Sequence, residues 1–365
     1  AAVVVQHLRE ALLTQRVTPL REIMAYTVFA LHHWMTGESA RATETLINAL
    51  KRSDSLGLPL WDAHLHAHGA AAALTAGDPA AAEEWLERFA LLATEARPFD
   101  KSLYYHHAAW LALQRGEVAL ALEHIAACQR MQERLQFWLI DALLVHAQAL
   151  AQLAAGNPAA AVPLVARLRE HAARVGSPLF ALKADLLEAQ IAFDEERNEE
   201  ALRHLAAGLA LARQQGVMNF HGWLPRAMAR LAARALDAGI ETDYVRNLIQ
   251  ARALPPTEEA RDLETWPWPI KIYTFGRLSI LRGDDPLTFE GRAQVRPLGL
   301  LAALIAQGGR GVAVDALAEL LWPEADGDAA QRAFDTTLHR LRKLLGHERA
   351  VLLSEGRLSL NPAVC

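Results

Sequence analysis

Up to about residue 254 the apolar positions recur at helical spacing, and short breaks cut the pattern into segments of similar length. One series of breaks falls at Gly37, Gly77, Gly116, Gly156 and Asn198, about 40 residues apart. Each is followed by, or is itself next to, a residue suited to a helix start (Glu38, Asp78, Glu117, Asn157, Glu199), and alanine returns two places later (Ala40, Ala80, Ala119, Ala159, Ala201). A second series lies halfway between, at Gly57, Arg97, Gln136, Gly176 and Gly216. Two breaks per period predict two helices per repeat. A helix pair of this size cannot bury its apolar face alone, so consecutive pairs are expected to stack into a solenoid with an extended curved surface.

Residues 254–269 (LPPTEEARDLETWPWP) break the helical pattern with four prolines and a run of acids, which reads as a linker or elbow. Its Trp266 and Trp268 are costly to expose and should dock on a neighbouring domain. Beyond it the period changes from helix to strand. Residues 270–291 alternate and turn at Gly276 and at Gly283-Asp284-Asp285-Pro286, predicting three short antiparallel strands. A helix is expected over 293–306, its start softened by Pro297 and Gly299. An extended piece at 312–314, a helix over 315–321, a helix over 329–345 and a hairpin over 350–360 with Glu355-Gly356 at its tip follow. The predicted domains are therefore 1–254, a linker at 255–269, and 270–365, in a mostly α chain whose last domain is α+β.

The helix over 329–345 carries the clearest chemistry. Phe334, Leu338, Leu341 and Leu345 form one apolar stripe, while Arg332, Asp335, Thr336, His339, Arg340, Arg342 and Lys343 cover the remaining surface. A short basic amphipathic helix that follows another through a loop is the form in which proteins present side chains to the DNA major groove. The formal net charge of the whole chain is −5, so any DNA contact must be local. No apolar run is long enough to span a bilayer, which argues against a membrane role. Two cysteines, Cys128 and Cys365, supply neither a disulfide framework nor a cysteine metal site, and fit a reducing cytoplasm. The first residues run straight into helix pattern without an initiating Met or a signal peptide, so the chain is expected to begin mid-protein.

Two resemblances follow from these residues. The 40-residue helix pairs resemble the tetratricopeptide-like repeats of the MalT-type (STAND-type) regulators. FGRLSI, VAVDALAELLWP, AFDTTLHRLRKLLG and LLSEGRLSL, spread over residues 270–361, resemble the OmpR/PhoB-type winged-helix domain of the SARP group of bacterial transcriptional activators. The second resemblance implies that Asp335, Thr336, His339 and Arg340 read bases, that Arg332, Arg342 and Lys343 meet phosphates, and that Arg357 is the wing contact. It implies double-stranded promoter DNA and RNA polymerase as partners, an effector ligand or protein on the repeats, and a dimer or higher oligomer on tandem sites. An ATP-binding switch domain upstream would also fit. Where that family often has an aromatic after the wing glycine, this chain has Gly356-Arg357-Leu358.

Other candidates are weaker. His64 and His68 share a helix face at the spacing of some zinc sites, but no HExxH context or third ligand accompanies them, and surface or groove histidines are the plainer reading. Tyr104, Tyr105, His106 and His107 form the densest polar-aromatic cluster of the repeats, and part of it is expected to face a ligand or partner. Trp61, Phe137, Trp138, Phe220 and Trp223 follow mid-repeat breaks, which suggests a recurrent packing role. No phosphate loop, GxSxG elbow or HExxH motif occurs, so neither catalysis nor a cofactor is expected. Two readings remain from different classes: a signal-responsive, DNA-binding transcriptional regulator, or a scaffold or adaptor whose winged helix docks protein. The cations of the 329–345 helix favour the first.

Overall fold

In a computed structural model of the chain, residues 6, 10, 18–261, 263–289 and 294–365 are described. Most of the helical pattern expected before residue 18, the end of the third expected strand at Glu290 and Gly291, and the helix start expected at Ala293 lie outside the described residues. The protein is mostly helical, with small antiparallel sheets towards its C-terminus. It divides into two compact units, Ala1–Glu259 and Ala260–Cys365, with the boundary inside the expected linker.

The first unit contains α1 (Pro19–Met35), α2 (Ser39–Ser55), α3 (Asp62–Ala76), α4 (Pro79–Leu91), α5 (Pro98–Arg115), α6 (Val118–Leu135), α7 (Trp138–Ala154), α8 (Pro158–Val175), α9 (Pro178–Asp194), α10 (Asn198–Gln215), α11 (Pro225–Asp237) and α12 (Thr242–Ala251). Proline opens α1, α4, α5, α8, α9 and α11, where its fixed φ suits the first turn and its missing N–H costs nothing. Asp78 then accepts from the Ala81 amide at 2.9 Å, closing the start of α4. The breaks are left-handed turns: Gly37, Gly77, Gly116 and Gly156 all have φ between +72° and +89°. At the fifth break the left-handed residue is Glu196 (φ +59°), and Asn198 is already the first residue of α10. In the second series Gln136 takes the same conformation without being glycine, whereas Arg97 is extended because Pro98 follows it.

The odd-numbered helices α1, α3, α5, α7 and α9 pack on one another in succession as well as on their even-numbered neighbours. Burial separates the two sets. Eleven of the 18 residues of α5 are buried, against three of the 18 in α6. In α3 twelve of 15 residues are buried, half of them alanine, so this helix meets protein nearly all round. Gly69 shows how close the approach is, since a Cβ there would stand 2.3 Å from the Trp85 ring of α4. Across the starts of the odd helices runs a ladder of ring contacts: Trp61 to His64 at 5.4 Å, His64 to Phe99 at 6.0 Å, Phe99 to Phe137 at 5.6 Å, and Trp138 to Phe180 at 6.4 Å. Three of the five aromatics expected to recur in packing are on this ladder; Phe220 and Trp223 are buried elsewhere.

After Gly216 the period would start another helix, but residues 217–224 stay non-helical until Pro225. They lie against the odd helices. Asn219 Nδ2 donates to the Trp34 carbonyl of α1 (3.2 Å), while Trp110 Nε1 and Gln114 Nε2 of α5 donate to the Trp223 carbonyl (2.8 and 3.1 Å). Gly222 sits so near His146 of α7 that a Cβ there would meet the imidazole at 2.6 Å.

The second unit contains β1 (Ile270–Tyr273), β2 (Ser279–Arg282), β3 (Asp285–Pro286), α13 (Val295–Ala306), β4 (Val312–Ala313), α14 (Val314–Leu321), α15 (Gly327–Leu345), β5 (Val351–Ser354) and β6 (Arg357–Leu360). Two antiparallel sheets are ordered β1-β2-β3 and β4-β6-β5. In the first, Ile270 faces Arg282 and Tyr273 faces Ser279. Ile280, Leu300, Leu304, Phe334, Leu341 and Leu358 join both sheets and the helices in one core. Pro297 is the third residue of α13, where no intrahelical N–H bond is lost, so it does not interrupt the helix. Glu355 and Gly356, both at positive φ, make the two-residue turn between β5 and β6. Trp266 and Trp268 are buried, as their apolar area demands.

Gly69→Ala should be destabilising. Overpacking costs about 1–3 kcal/mol, more than the ~1 kcal/mol that alanine gains in helix propensity. Thermal unfolding of the variant should show a lower Tm, and an unchanged or raised Tm would mean that α3 and α4 are not in this contact.

Candidate functional site

Two regions concentrate polar chemistry. In the second unit it is the outer side of α15. Asp326 accepts from the Ala329 amide at 2.8 Å and fixes the helix start, and the core takes Phe334, Leu338, Leu341 and Leu345. Arg332, Asp335, Thr336, His339, Arg340 and Lys343 are left exposed, as the sequence predicts. Among the described residues no carboxylate forms an ion pair with Arg332, Arg340 or Lys343. Asp335 accepts from Gln331 at 3.1 Å, so it orients neither Arg332 nor His339; Thr336 bonds back to the Arg332 carbonyl.

Arg342 differs from its neighbours. It is half-buried, and its Nε and Nη2 both donate to the Val351 carbonyl (3.1 and 2.8 Å), tying α15 to β5. Beside the phosphate role that the sequence suggests for Arg342 the structure shows a second one: two of its five N–H donors anchor the hairpin. Arg282 does similar work at the end of α15, donating to the Leu344 and Leu345 carbonyls, and Arg296 donates to the Leu321 carbonyl at the end of α14. Arg357 is exposed at the start of β6, with Nη1 donating to the Gly311 carbonyl at 2.7 Å.

In the first unit the polar chemistry is interior. His68 of α3, His106 and His107 of α5, His146 of α7 and Lys183 of α9 are buried, and the half-buried His221 of the 217–224 segment packs against His106 and His107. His107 and His221 stack at 5.4 Å with planes 8° apart, His106 lies 5.9 Å from His221, and the Trp34 ring meets His221 edge-on at 4.7 Å. Both ring nitrogens of His106 and of His107, Nδ1 of His146 and Nε2 of His221 have no hydrogen-bond partner among the described residues. Lys183 Nζ lies 5.4 Å from the centres of the Phe180 and Phe220 rings, and among the described residues no carboxylate pairs with it. Burial pushes His68 and His106 down to about 3 and holds His107, His146 and His221 well below the usual imidazole range. Burial likewise pushes the Lys183 ammonium down to about 7.

The structure divides the cluster expected at 104–107. Tyr104 is half-buried and stacks on Phe89 of α4 at 4.9 Å, and Tyr105 meets Tyr104 edge-on and lies near His124 of α6. These tyrosines therefore serve packing between helices, whereas His106 and His107 join the interior cluster. His64 is not a free metal ligand: its Nδ1 is 2.9 Å from Oδ1 of Asp100, which Arg97 also holds, and its ring meets His68 edge-on at 4.6 Å. Sequence reasoning missed Lys183, His146 and His221. The signal was a lysine inside PLFALKADLLEAQIAF, a run apolar on too many sides to leave a long cation in water.

Asp185, Glu188 and His204 bring three ligand atoms within 4.8 Å of one another, but Arg169 donates to both acids and supplies their counter-charge. A groove of about 430 Å³ between α6, α7 and α8 is lined by Gln132, Trp138, Asp141, Arg167, His171 and Arg174 among others. No protein-family model matches the chain, and no curated protein is detectably similar to it. The functional reading therefore rests on these side chains.

The interior cluster makes the first unit acid-sensitive. Above pH 6.5 its histidines are neutral whether folded or unfolded; below it the unfolded chain takes up protons that the folded core refuses, and stability is lost as pH falls towards about 3 for His68 and His106. Each such group contributes a slope of about 1.4 kcal/mol per pH unit within that window. Calorimetry from pH 7.5 to pH 5 should show the Tm of the wild-type chain falling, and His106→Phe should flatten the fall. Equal slopes for the two proteins would show that His106 is not buried neutral.

Proposed function

We propose that the protein is a sequence-specific, DNA-binding transcriptional regulator, an activator by its resemblance, in which the first unit receives a signal and the second binds promoter DNA. The observation that carries the reading is the set of cations on α15. The second unit uses Arg282, Arg296 and Arg342 as hydrogen-bond donors to helix ends and a strand. Arg332, Arg340 and Lys343 have no such work, and they share one exposed side with Thr336 and His339. Cations held without counter-charge on a rigid helix suit a polyanion. The order of strands, three helices and a closing hairpin supports an OmpR/PhoB-type winged helix, in which α15 enters the major groove and the hairpin bearing Arg357 meets the backbone or minor groove.

In the first unit the helix pairs at a period near 40 residues, with odd helices packed in series, support a tetratricopeptide-like solenoid that takes a ligand or protein. RNA polymerase is the further partner this reading implies, and tandem sites would hold a dimer or higher oligomer. The signal would bias whether the second unit can engage DNA. A scaffold whose second unit docks protein is the alternative, but such a scaffold has no use for three unpaired cations on one helix side.

The test is selection of bound sequences from random DNA, followed by titration of the selected site at several salt concentrations. Arg340→Ala should cost about 1–3 kcal/mol at the selected site and relax one base position. Lys343→Ala should weaken all sequences and reduce the salt slope by about one. Arg342→Ala should instead lower the Tm, since a guanidinium with two donors on a carbonyl is worth about 1.5–3 kcal/mol. Unchanged affinity in both Arg340→Ala and Lys343→Ala would sink the DNA-binding reading.

A further inference from the structure

The His221 imidazole fills a slot of defined shape. His107 lies parallel to it at 5.4 Å, Trp34 meets it edge-on at 4.7 Å, and Trp110 is 6.0 Å away. The walls fit one flat ring. Around the slot are donors without acceptors: His106 and His107 each carry an N–H with no partner among the described residues, and the Lys183 amine lies beside Phe220 of the same segment. The acids that might have neutralised this region are engaged elsewhere, Asp100 by His64 and Arg97, and Asp185 by Arg169. A buried donor without an acceptor is costly, and a carboxylate is a group that would satisfy several of these at once.

We propose that this slot is an effector site for a small aromatic carboxylate, and that residues 217–224 fill it here as an internal plug whose His221 ring stands where the ligand's ring goes. The proposal rests on the reading of the first unit as a signal receiver and names the class of signal. The ring of such a ligand would stack on His107 between Trp34 and Trp110, and its carboxylate would accept from Lys183 and the imidazole N–H groups. The plug is suited to leaving. It contains no helix; its polar anchors to other elements are Val217 N to the Ala212 carbonyl, the Tyr244 hydroxyl to the Val217 carbonyl, Met218 N to the Met35 carbonyl at a long 3.4 Å, Asn219 to the Trp34 carbonyl, and two donors on the Trp223 carbonyl. Its own imidazole Nε2 gains no hydrogen bond in the slot. Binding would therefore exchange an unsatisfied ring for one that carries its own counter-charge, and the freed segment leads directly into α11 and α12.

The test uses the full chain at pH 6, below the value of about 7 to which burial pushes the Lys183 ammonium, titrated with benzoate and, separately, with the uncharged benzyl alcohol. Tryptophan fluorescence and amide exchange across residues 217–224 are the readouts. Benzoate should bind with a Kd of about 1 mM, as expected for so small a ligand, and should speed exchange at Phe220 and Trp223, while benzyl alcohol should give no saturable response. Lys183→Met should weaken benzoate about tenfold or more by removing a charge-assisted bond, with a Tm no lower than that of the wild type. His221→Ala empties the slot and should bind benzoate about tenfold tighter, because the plugged state no longer competes. Failure of both the wild-type and His221→Ala chains to bind benzoate, or equal binding of the alcohol, overturns the site. Benzoate binding with no change in affinity for the selected DNA leaves the site standing and overturns the signal-receiver reading.

Discussion

The first unit depends on the close approach of helices that have protein on both sides. α3, α5, α7 and α9 each pack on an even helix and on one another, and the 217–224 segment adds contacts to α5 and α7. Only small side chains permit this, hence the alanines of α3 and the glycine set against Trp85. The same closeness raises the stakes for any polar atom placed there. An imidazole in the middle of such a helix cannot turn to water, and the backbone cannot serve it because its own N–H and C=O groups are spent within the helix.

How much of this was legible follows from the range of the forces involved. Left-handed glycines and N-terminal prolines are local devices, so the breaks and the helix pairing could be read directly, and even Glu196 displaced its break by only two residues. The division of Tyr104, Tyr105, His106 and His107 was not drawn from the sequence, which offers them as one cluster, although four consecutive residues sweep most of a helical turn and cannot share one face. The tyrosines turn towards α4 and α6, the histidines away from them. The docking of 217–224 was not legible. Its partners Trp34, Trp110 and His146 lie far away in sequence, and a non-helical stretch of eight residues looks the same on paper whether it is buried or exposed.

The basic helix shows the same limit. Periodicity alone sorts Phe334, Leu338, Leu341 and Leu345 from the polar positions, and the core of the second unit uses those four. What periodicity cannot sort is one arginine from another. Arg340 and Arg342 both look like surface cations; they differ because the carbonyl of Val351 comes within reach of Arg342 when the hairpin closes. Snorkelling side chains long enough to leave their own helix carry this ambiguity wherever a strand packs alongside. The proposed DNA contact rests on the cations that remain unengaged after such long-range bonds are counted, and that sorting requires tertiary structure.

A fold shaped by stability alone would not keep this interior. Replacing buried, unpaired polar groups by apolar side chains of similar volume commonly leaves a protein as stable or more so. Local rules are broken at functional sites more often than elsewhere, because there the loss is balanced by something other than folding. In this chain several of the violations lie near one another: among the described residues the unpartnered His106 and His107 flank His221, and Lys183 lies beside Phe220 of the same non-helical stretch. The proposed effector site rests on this proximity of groups from four helices and one non-helical segment, which no single helix could bring together.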